Sequence, residues 1–531
     1  MLFSSYSFLL LFLPVLLLAW FKAKGLSNEA RIAVLFLASL VFYTWSGSAF
    51  LWLILAMALA NWQAGLALAE PEAPEPPEDA GGAGGRTRCR LSRRALLGLM
   101  LAADFLPLLY CKYTEFFSAV IASLTGTDPG WRSPGLPLGI SFYTFIQTAW
   151  LVSVYRREIV PGSLAQHALF SSFFGYVVSG PIVRWQDMGP QLARLAPPDA
   201  AGFARGLSLF VMGLAKKVIL ADSIAAYANA VFNAAEKGWP LACPEAWFGA
   251  FAYTMQLYFD FSGYTDMALG CGLMLGLTLP FNFDSPYKST GIVDFWRRWH
   301  ITLGTWLKDF LYIPLGGNRH GKIRQYRNLF LTMLIGGAWH GAGWTFIIWG
   351  ALHGAMLCVN HFFRALTKGT RLQALLAKAP CRACFILLTF FCVTLCWVVF
   401  RAQSAGGAFA MYQAMANLPD ASQGLVPHVY VKGLLPHALL GLCFGICWLF
   451  PNSQELIFGR RDGTKPALCW KPSAAWAAGL ALAAVCSLVL ASRETTFLYF
   501  QVSGGLRSRG RARRQLRLLQ AARQAGAHVR R

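Results

Sequence analysis

Apolar stretches of about 20 residues, bounded by polar or basic positions, recur along nearly the whole chain. A hydrocarbon core of roughly 30 Å needs about 20 helical residues per crossing, so the pattern predicts an all-α polytopic integral membrane protein with about 10–13 membrane segments. Lipid leaves no backbone group unsatisfied, and the alternation expected of barrel strands is absent, so the runs are expected to be helices. The first run, residues 2–21, has no basic leader and no small-residue cleavage site, which predicts a retained span. Further spans are expected near residues 32–45, 48–68, 95–118 and 137–155, with late runs near 385–400, 434–450 and 474–492.

The exceptions to the pattern are informative. Gly180-Pro181 interrupts a short apolar run, predicting a re-entrant or broken helix that must be buried in protein or line a wet cavity. Lys216 and Lys217 fall inside an apolar run, where snorkelling to the interface is the expected reading and an anionic ligand the alternative. Asp260 and Asp266 sit six residues apart in apolar text; that spacing does not share a helix face, so they are expected to be structural anchors rather than an acid/base dyad. The domain organisation expected is N-terminal spans at 1–69, a disordered cytoplasmic linker at 70–94, a membrane core at 95–501 with its catalytic region at 247–363, and a basic, disordered tail at 502–531.

Composition sharpens this. With 56% hydrophobic and 13% charged residues, an ordinary soluble domain is excluded. Lys and Arg number 47 against 24 Asp and Glu, a net charge of +23. The cations lie between apolar runs, the positive-inside signature of cytoplasmic loops, so no nucleic-acid partner is expected. Lys22, Lys24 and Arg31 place the first loop in the cytoplasm. Cys381 and Cys384 form a lone C-x-x-C pair without a second pair, so no metal site is expected.

The candidate chemistry lies between Asp294 and Trp349. Ionisable side chains at bilayer depth default to a functional role, and here two histidines, His300 and His340, stand in membrane-like text. Trp296, Trp299 and Trp306 alternate with Arg297, Arg298, Lys308 and Asp309, predicting an interfacial amphipathic helix that carries His300. Basic residues bound both ends of the next apolar run, at Arg327 and at Arg364 and Lys368, which puts His340 near the turn of a helical hairpin. The glycines around it, Gly336, Gly337, Gly341 and Gly343, would admit close approach of helices and substrate. His353 and His361 each follow an apolar position by one helical turn and are expected to be packed core residues.

Long ordered motifs carry a resemblance: P-L-G-I-S-F-Y-T-F at 137–145, S-G-P-I-V-R at 179–184, G-L-A-K-K-V-I-L-A-D at 213–222, Y-F-D-F-S-G-Y-T-D-M-A at 258–268, F-W-R-R-W-H-I-T-L at 295–303, W-L-K-D-F-L-Y-I-P-L-G-G-N-R at 306–319 and W-H-G-A-G-W-T-F-I-I-W-G at 339–350. The chain resembles the membrane-bound O-acyltransferase superfamily, in its bacterial alginate O-acetylation branch. The resemblance implies a helical bundle around a central tunnel. It implies acyl transfer with His340 as the invariant histidine and His300 as its second polar partner. One imidazole would take a proton from a hydroxyl while the other donates to the developing oxyanion. Asp309, Tyr312, Asn318 and Arg319 would shape a cytoplasmic funnel for the acyl donor, or serve as caps and interface anchors.

No tightly bound cofactor is implied; acetyl-CoA would be the donor substrate. An esterase-like acetyltransferase, periplasmic or membrane-anchored, would be the partner, an exported polysaccharide such as alginate the final acceptor, and the bacterial inner membrane the location. Peptidoglycan or another exopolysaccharide is the alternative acceptor. A transporter or flippase would also explain buried charges and broken helices, although no internal repeat is visible.

Overall fold

A computed structural model describes residues 1–45, 47, 49–70, 91–417, 431–460 and 462–491. Most of the expected linker and the basic tail lie outside them. The described residues are helical, with no strand among them. A π-helical turn, Ser7–Phe12, leads into α1 (Leu13–Lys22), followed by α2 (Asn28–Trp45) and α3 (Leu51–Ala69). The opening residues are part of the core, with Phe3 buried and stacked on Tyr264 at 4.8 Å. After the linker, Ser92 caps α4 (Arg93–Thr125) by accepting from the Ala95 N–H, so the helix begins two residues before the expected span and outruns its far end.

Helix α5 (Ile140–Tyr155) is buried around nearly its whole circumference. Then come α6 (Leu164–Ser172) and α7 (Trp185–Leu192). Between them, residues 173–183 are non-helical and wholly buried, as the Gly180-Pro181 interruption required. The chain continues through α8 (Ala200–Ala215), a π-helical segment at Lys216–Ala221, α9 (Asp222–Glu236) and α10 (Cys243–Met274).

Helix α10 is the axis of the bundle. Only a few of its residues escape burial, and α8 packs along it backbone to backbone. A Cβ at Gly213 would stand 2.5 Å from the Gly263 carbonyl oxygen, and one at Gly270 2.6 Å from that of Gly206, so glycine at both crossings sets the spacing. That closeness lets the start of the π segment reach the carboxylates of α10. Lys217 pairs with Asp260 at 2.5 Å and with Asp222 at 2.7 Å; Lys216 pairs with Asp266 at 2.6 Å. Ser453 donates to Asp266 at 2.5 Å. The lysines therefore do not snorkel. They are consumed inside the bundle, because a buried carboxylate needs a counter-charge more than an ammonium needs water. The anchor reading of Asp260 and Asp266 stands.

The second half contains α11 (Ile292–Arg298), α12 (Ile301–Leu307) with a π turn at Lys308–Tyr312, and the hairpin α13 (Gly321–His340) and α14 (Trp344–Thr367). It closes with α15 (Arg371–Leu376), α16 (Ala379–Arg401), α17 (Ala405–Ala416), α18 (Leu434–Leu449), α19 (Ser453–Phe458) and α20 (Ala474–Leu490), which packs on α8. Among the described residues, five helical stretches can cross a bilayer by length and composition: Ser7–Gly25, α3, α4, α14 and α16. Others, α10 above all, are sheathed by protein and so carry polar residues that a lipid-facing helix could not.

Candidate active site

His340 is the last residue of α13, and Gly341–Gly343 form the turn into α14, as the paired basic boundaries implied. Its imidazole lies edge-on to Trp349 at 5.1 Å and to Phe400 at 5.4 Å. The last carbonyls of a helix have no intrahelical donor; here α4 supplies them. Lys112 Nζ donates to the Trp339 carbonyl, and Tyr113 Oη donates to that of Ala338 at 2.5 Å. Lys112 also sits 5.5 Å from the centroid of the Trp339 ring.

His300 is placed differently from the expected interfacial helix. The chain breaks at Trp299–His300, separating α11 from α12, and His300 adopts the left-handed conformation at φ 44°, ψ 54°. Trp299 and Trp306 are buried, and His300 is 1% exposed. Spacing alone suggested a continuous amphipathic helix because Trp296, Trp299 and Trp306 follow helical periodicity; the left-handed residue reverses direction and turns two of them inward.

The segment before α11 secures that turn. Ile301 N donates to the Asn282 carbonyl at 2.9 Å and Asp284 N to the Arg298 carbonyl at 2.9 Å. Asn282 Oδ1 accepts from Thr302 N at 3.2 Å and from Thr302 Oγ1 at 2.7 Å, and faces His300 Nδ1 at 3.3 Å. The backbone N–H of Thr302 can only donate, which fixes that Asn282 atom as the oxygen. His300 Nδ1 must then carry the proton, and neutral His300 has its lone pair at Nε2. That nitrogen is buried without a partner among the described residues. Neutral His300 thus offers an acceptor where an oxyanion donor was expected.

Two aromatic links hold the histidines relative to each other. Phe145 is sandwiched between Trp306 at 3.7 Å and Trp339 at 5.0 Å, joining α12 to the end of α13, and Trp306 Nε1 donates to the Phe145 carbonyl at 2.9 Å. On the other side Trp397 bridges Trp299 at 5.0 Å to Trp349 at 5.7 Å. The Trp349 ring touches both His340 at 5.1 Å and His353 at 4.7 Å. His353 is buried, and its Nδ1 accepts from Trp296 Nε1 at 3.2 Å, a core role as expected.

The four funnel candidates lie on the π turn after α12 and on the turn before α13. Asp309 pairs with Arg184 at 2.7 Å, tying the π turn to the S-G-P-I-V-R segment; Tyr312 ends the π turn half-buried; Asn318 and Arg319 stand exposed on the turn before α13. Cys381 and Cys384 are free thiols on the opening turns of α16. Lys112 and Asn282 had not been singled out from the sequence. The signal for Lys112 was present, a lone cation within the apolar run of α4; Asn282 had none beyond its place in a loop.

Residues 137–399 match the membrane-bound O-acyltransferase family. A probable alginate O-acetylase of Azotobacter vinelandii is 41% identical over 427 residues, 79% of this chain and 79% of that protein. A peptidoglycan O-acetyltransferase of Helicobacter pylori is 37% identical over 462 residues, 80% of this chain and 81% of its own length. A teichoic acid D-alanyltransferase of Bacillus subtilis is 31% identical over 242 residues, 44% of this chain and 60% of its own. An apolar helical bundle with two histidines gathered beside the W-H-G turn, and alignment at this depth along most of the chain, have one consequence: the chain belongs to the membrane-bound O-acyltransferase family and is a multi-pass membrane O-acyltransferase.

Proposed function

We propose that the enzyme takes acetyl from acetyl-CoA on the cytoplasmic side of a bacterial inner membrane and passes it outward for O-acetylation of an exported polysaccharide, alginate in the first reading. An esterase-like acetyltransferase, periplasmic or membrane-anchored, completes the transfer to polymer. The observation that carries the reading is that one aromatic frame links the segments carrying His300 and His340, in a chain aligned with a probable alginate O-acetylase over 79% of its length. Peptidoglycan is the second acceptor, favoured by a relative that aligns over 80% of the chain.

In the transfer a hydroxyl oxygen attacks the thioester carbonyl carbon, and its proton passes to His340. The C=O electron pair moves to oxygen and returns as the C–S bond breaks, and the thiolate leaves with the proton held by His340. The hydroxyl has one proton and donates to one imidazole at a time: His300, protonated at Nδ1 by its bond to Asn282, accepts it at Nε2 as the hydroxyl docks, and His340 takes the proton as attack begins. Membranes containing the protein and its partner, supplied with labelled acetyl-CoA, are expected to yield labelled polymer, and His340→Ala is expected to reduce labelling about 10²- to 10⁴-fold. Full labelling by correctly folded His340→Ala, or polymer export without any acyl transfer, would overturn the reading.

A further inference from the structure

Helix α14 leads away from the imidazoles to a second site. Positions 353, 357, 360, 364 and 367 recur at helical spacing on one face, and eleven residues at about 1.5 Å each set Arg364 roughly 16 Å beyond His353. There the C-terminal half of α14, α11 with the residues just before it, α15 and the first turns of α16 line a half-open cavity of about 690 Å³. Its lining includes Arg297, Arg364, Lys368 and the amide of Asn360. The one acid in that lining, Asp294, is already paired with Arg298 at 2.9 Å. Among the described residues neither arginine nor Lys368 has an ion-pair partner. A Cβ at Gly291 would stand 3.1 Å from Asn360 Nδ2, so glycine at that position keeps the amide accessible.

Loop cations that only report topology can remain dispersed in water. These line a concavity that also carries an amide donor and no free acid. Guanidinium forks match the oxygens of a phosphate in geometry and charge. We propose that this cavity binds a phosphate group on an amphiphilic ligand, either the nucleotide phosphates of a thioester donor or the headgroup of an anionic phospholipid. The nucleotide source rests on the donor reading above; phosphate binding itself does not.

The test uses the full chain, purified in detergent and stripped of lipid. Binding of adenosine 3′,5′-bisphosphate is measured by calorimetry and binding of phosphatidylglycerol by native mass spectrometry, with phosphatidylcholine as reference. At least one phosphate probe is expected to bind, and the one that does identifies the source. The double variant Arg297→Gln/Arg364→Gln is expected to bind about tenfold more weakly or worse. Arg205→Gln, an exposed arginine on α8 outside the cavity, is expected to bind as the parent does. Absence of binding by both probes, or binding unchanged in the double variant, overturns the proposal. Acyl transfer is assayed on the same batch after return to membranes with its partner protein and polymer acceptor: transfer without phosphate binding sinks only this inference, and phosphate binding without transfer sinks only the functional reading.

Discussion

Lys112 donates its ammonium to the carbonyl of Trp339, the residue before His340, from a position only 8% exposed. Nothing in sequence distance links them; the contact exists because α4 crosses the end of α13. It makes Lys112 a positioning residue, one that fixes the last turn from which the imidazole projects. Lys112→Met keeps most of the stem volume and removes the donor. A buried carbonyl left without a partner costs about 1–3 kcal/mol, so the melting temperature should fall. If His340 is displaced by the order of an ångström, kcat should drop roughly 10- to 100-fold with little change in KM. A purely structural role would leave kcat per folded molecule unchanged, which thermal unfolding and kinetics on one preparation would reveal.

His300 occupies the left-handed region, where a residue with a Cβ is strained by roughly 1–2 kcal/mol and glycine is not. Both His300→Ala and His300→Gly remove the imidazole and its contact with Asn282, so their difference isolates the backbone. The glycine variant should be more stable than the alanine variant by about 1 kcal/mol, the reverse of the usual preference. Both should be inactive if the imidazole is required. Denaturation in detergent checks the first expectation and labelled acetyl transfer the second; an alanine variant at least as stable as the glycine one would show that no strain is stored there.

The two histidines, the hairpin turn at His340 and the anchoring role of Asp260 and Asp266 were legible in the sequence, because each follows from a local rule: the cost of polar groups in lipid, charge at span boundaries, helical spacing. What was not legible depends on pairings far apart in the chain. Lys216 and Lys217 read as snorkelling cations until two glycine crossings between α8 and α10 bring Asp266 and Asp260 within reach. The role of His300 turned on Asn282, eighteen residues earlier, whose oxygen is identified by the backbone N–H of Thr302. The break at His300 was hidden because three tryptophans keep helical periodicity across it.

The Lys217–Asp260 pair is nearly free of solvent, with side chains 3% and 2% exposed. Lys217 also pairs with Asp222, so Asp260→Ala leaves it a second counter-charge, whereas Lys217→Met strands two nearly buried carboxylates, and removing one partner of a buried pair typically costs about 3–5 kcal/mol. Lys217→Met should therefore reduce folded protein sharply, and by more than Asp260→Ala. Yield and thermal stability in detergent measure both. A stable but inactive Asp260→Ala would instead assign the carboxylate to chemistry.

The hairpin that carries His340 closes on two glycines. A Cβ at Gly337 would lie 2.8 Å from Gly350 Cα, and one at Gly350 would lie 2.5 Å from the Met333 carbonyl oxygen, both against backbone that cannot swing aside. Gly343, in the same turn region, is extended at φ −172° and would place its Cβ no nearer than 3.6 Å to Phe346. Gly337→Ala should thus force α13 away from α14, costing about 1–3 kcal/mol by overpacking. Because His340 lies three residues on, the displacement should also lower acyl transfer per folded molecule. Gly343→Ala should change stability by no more than about 0.5 kcal/mol and leave transfer intact. Thermal unfolding and labelled acetyl transfer on the two variants together make the comparison. Equal behaviour would mean that the W-H-G turn tolerates a looser hairpin, and that close approach of α13 and α14 does not set the position of the imidazole.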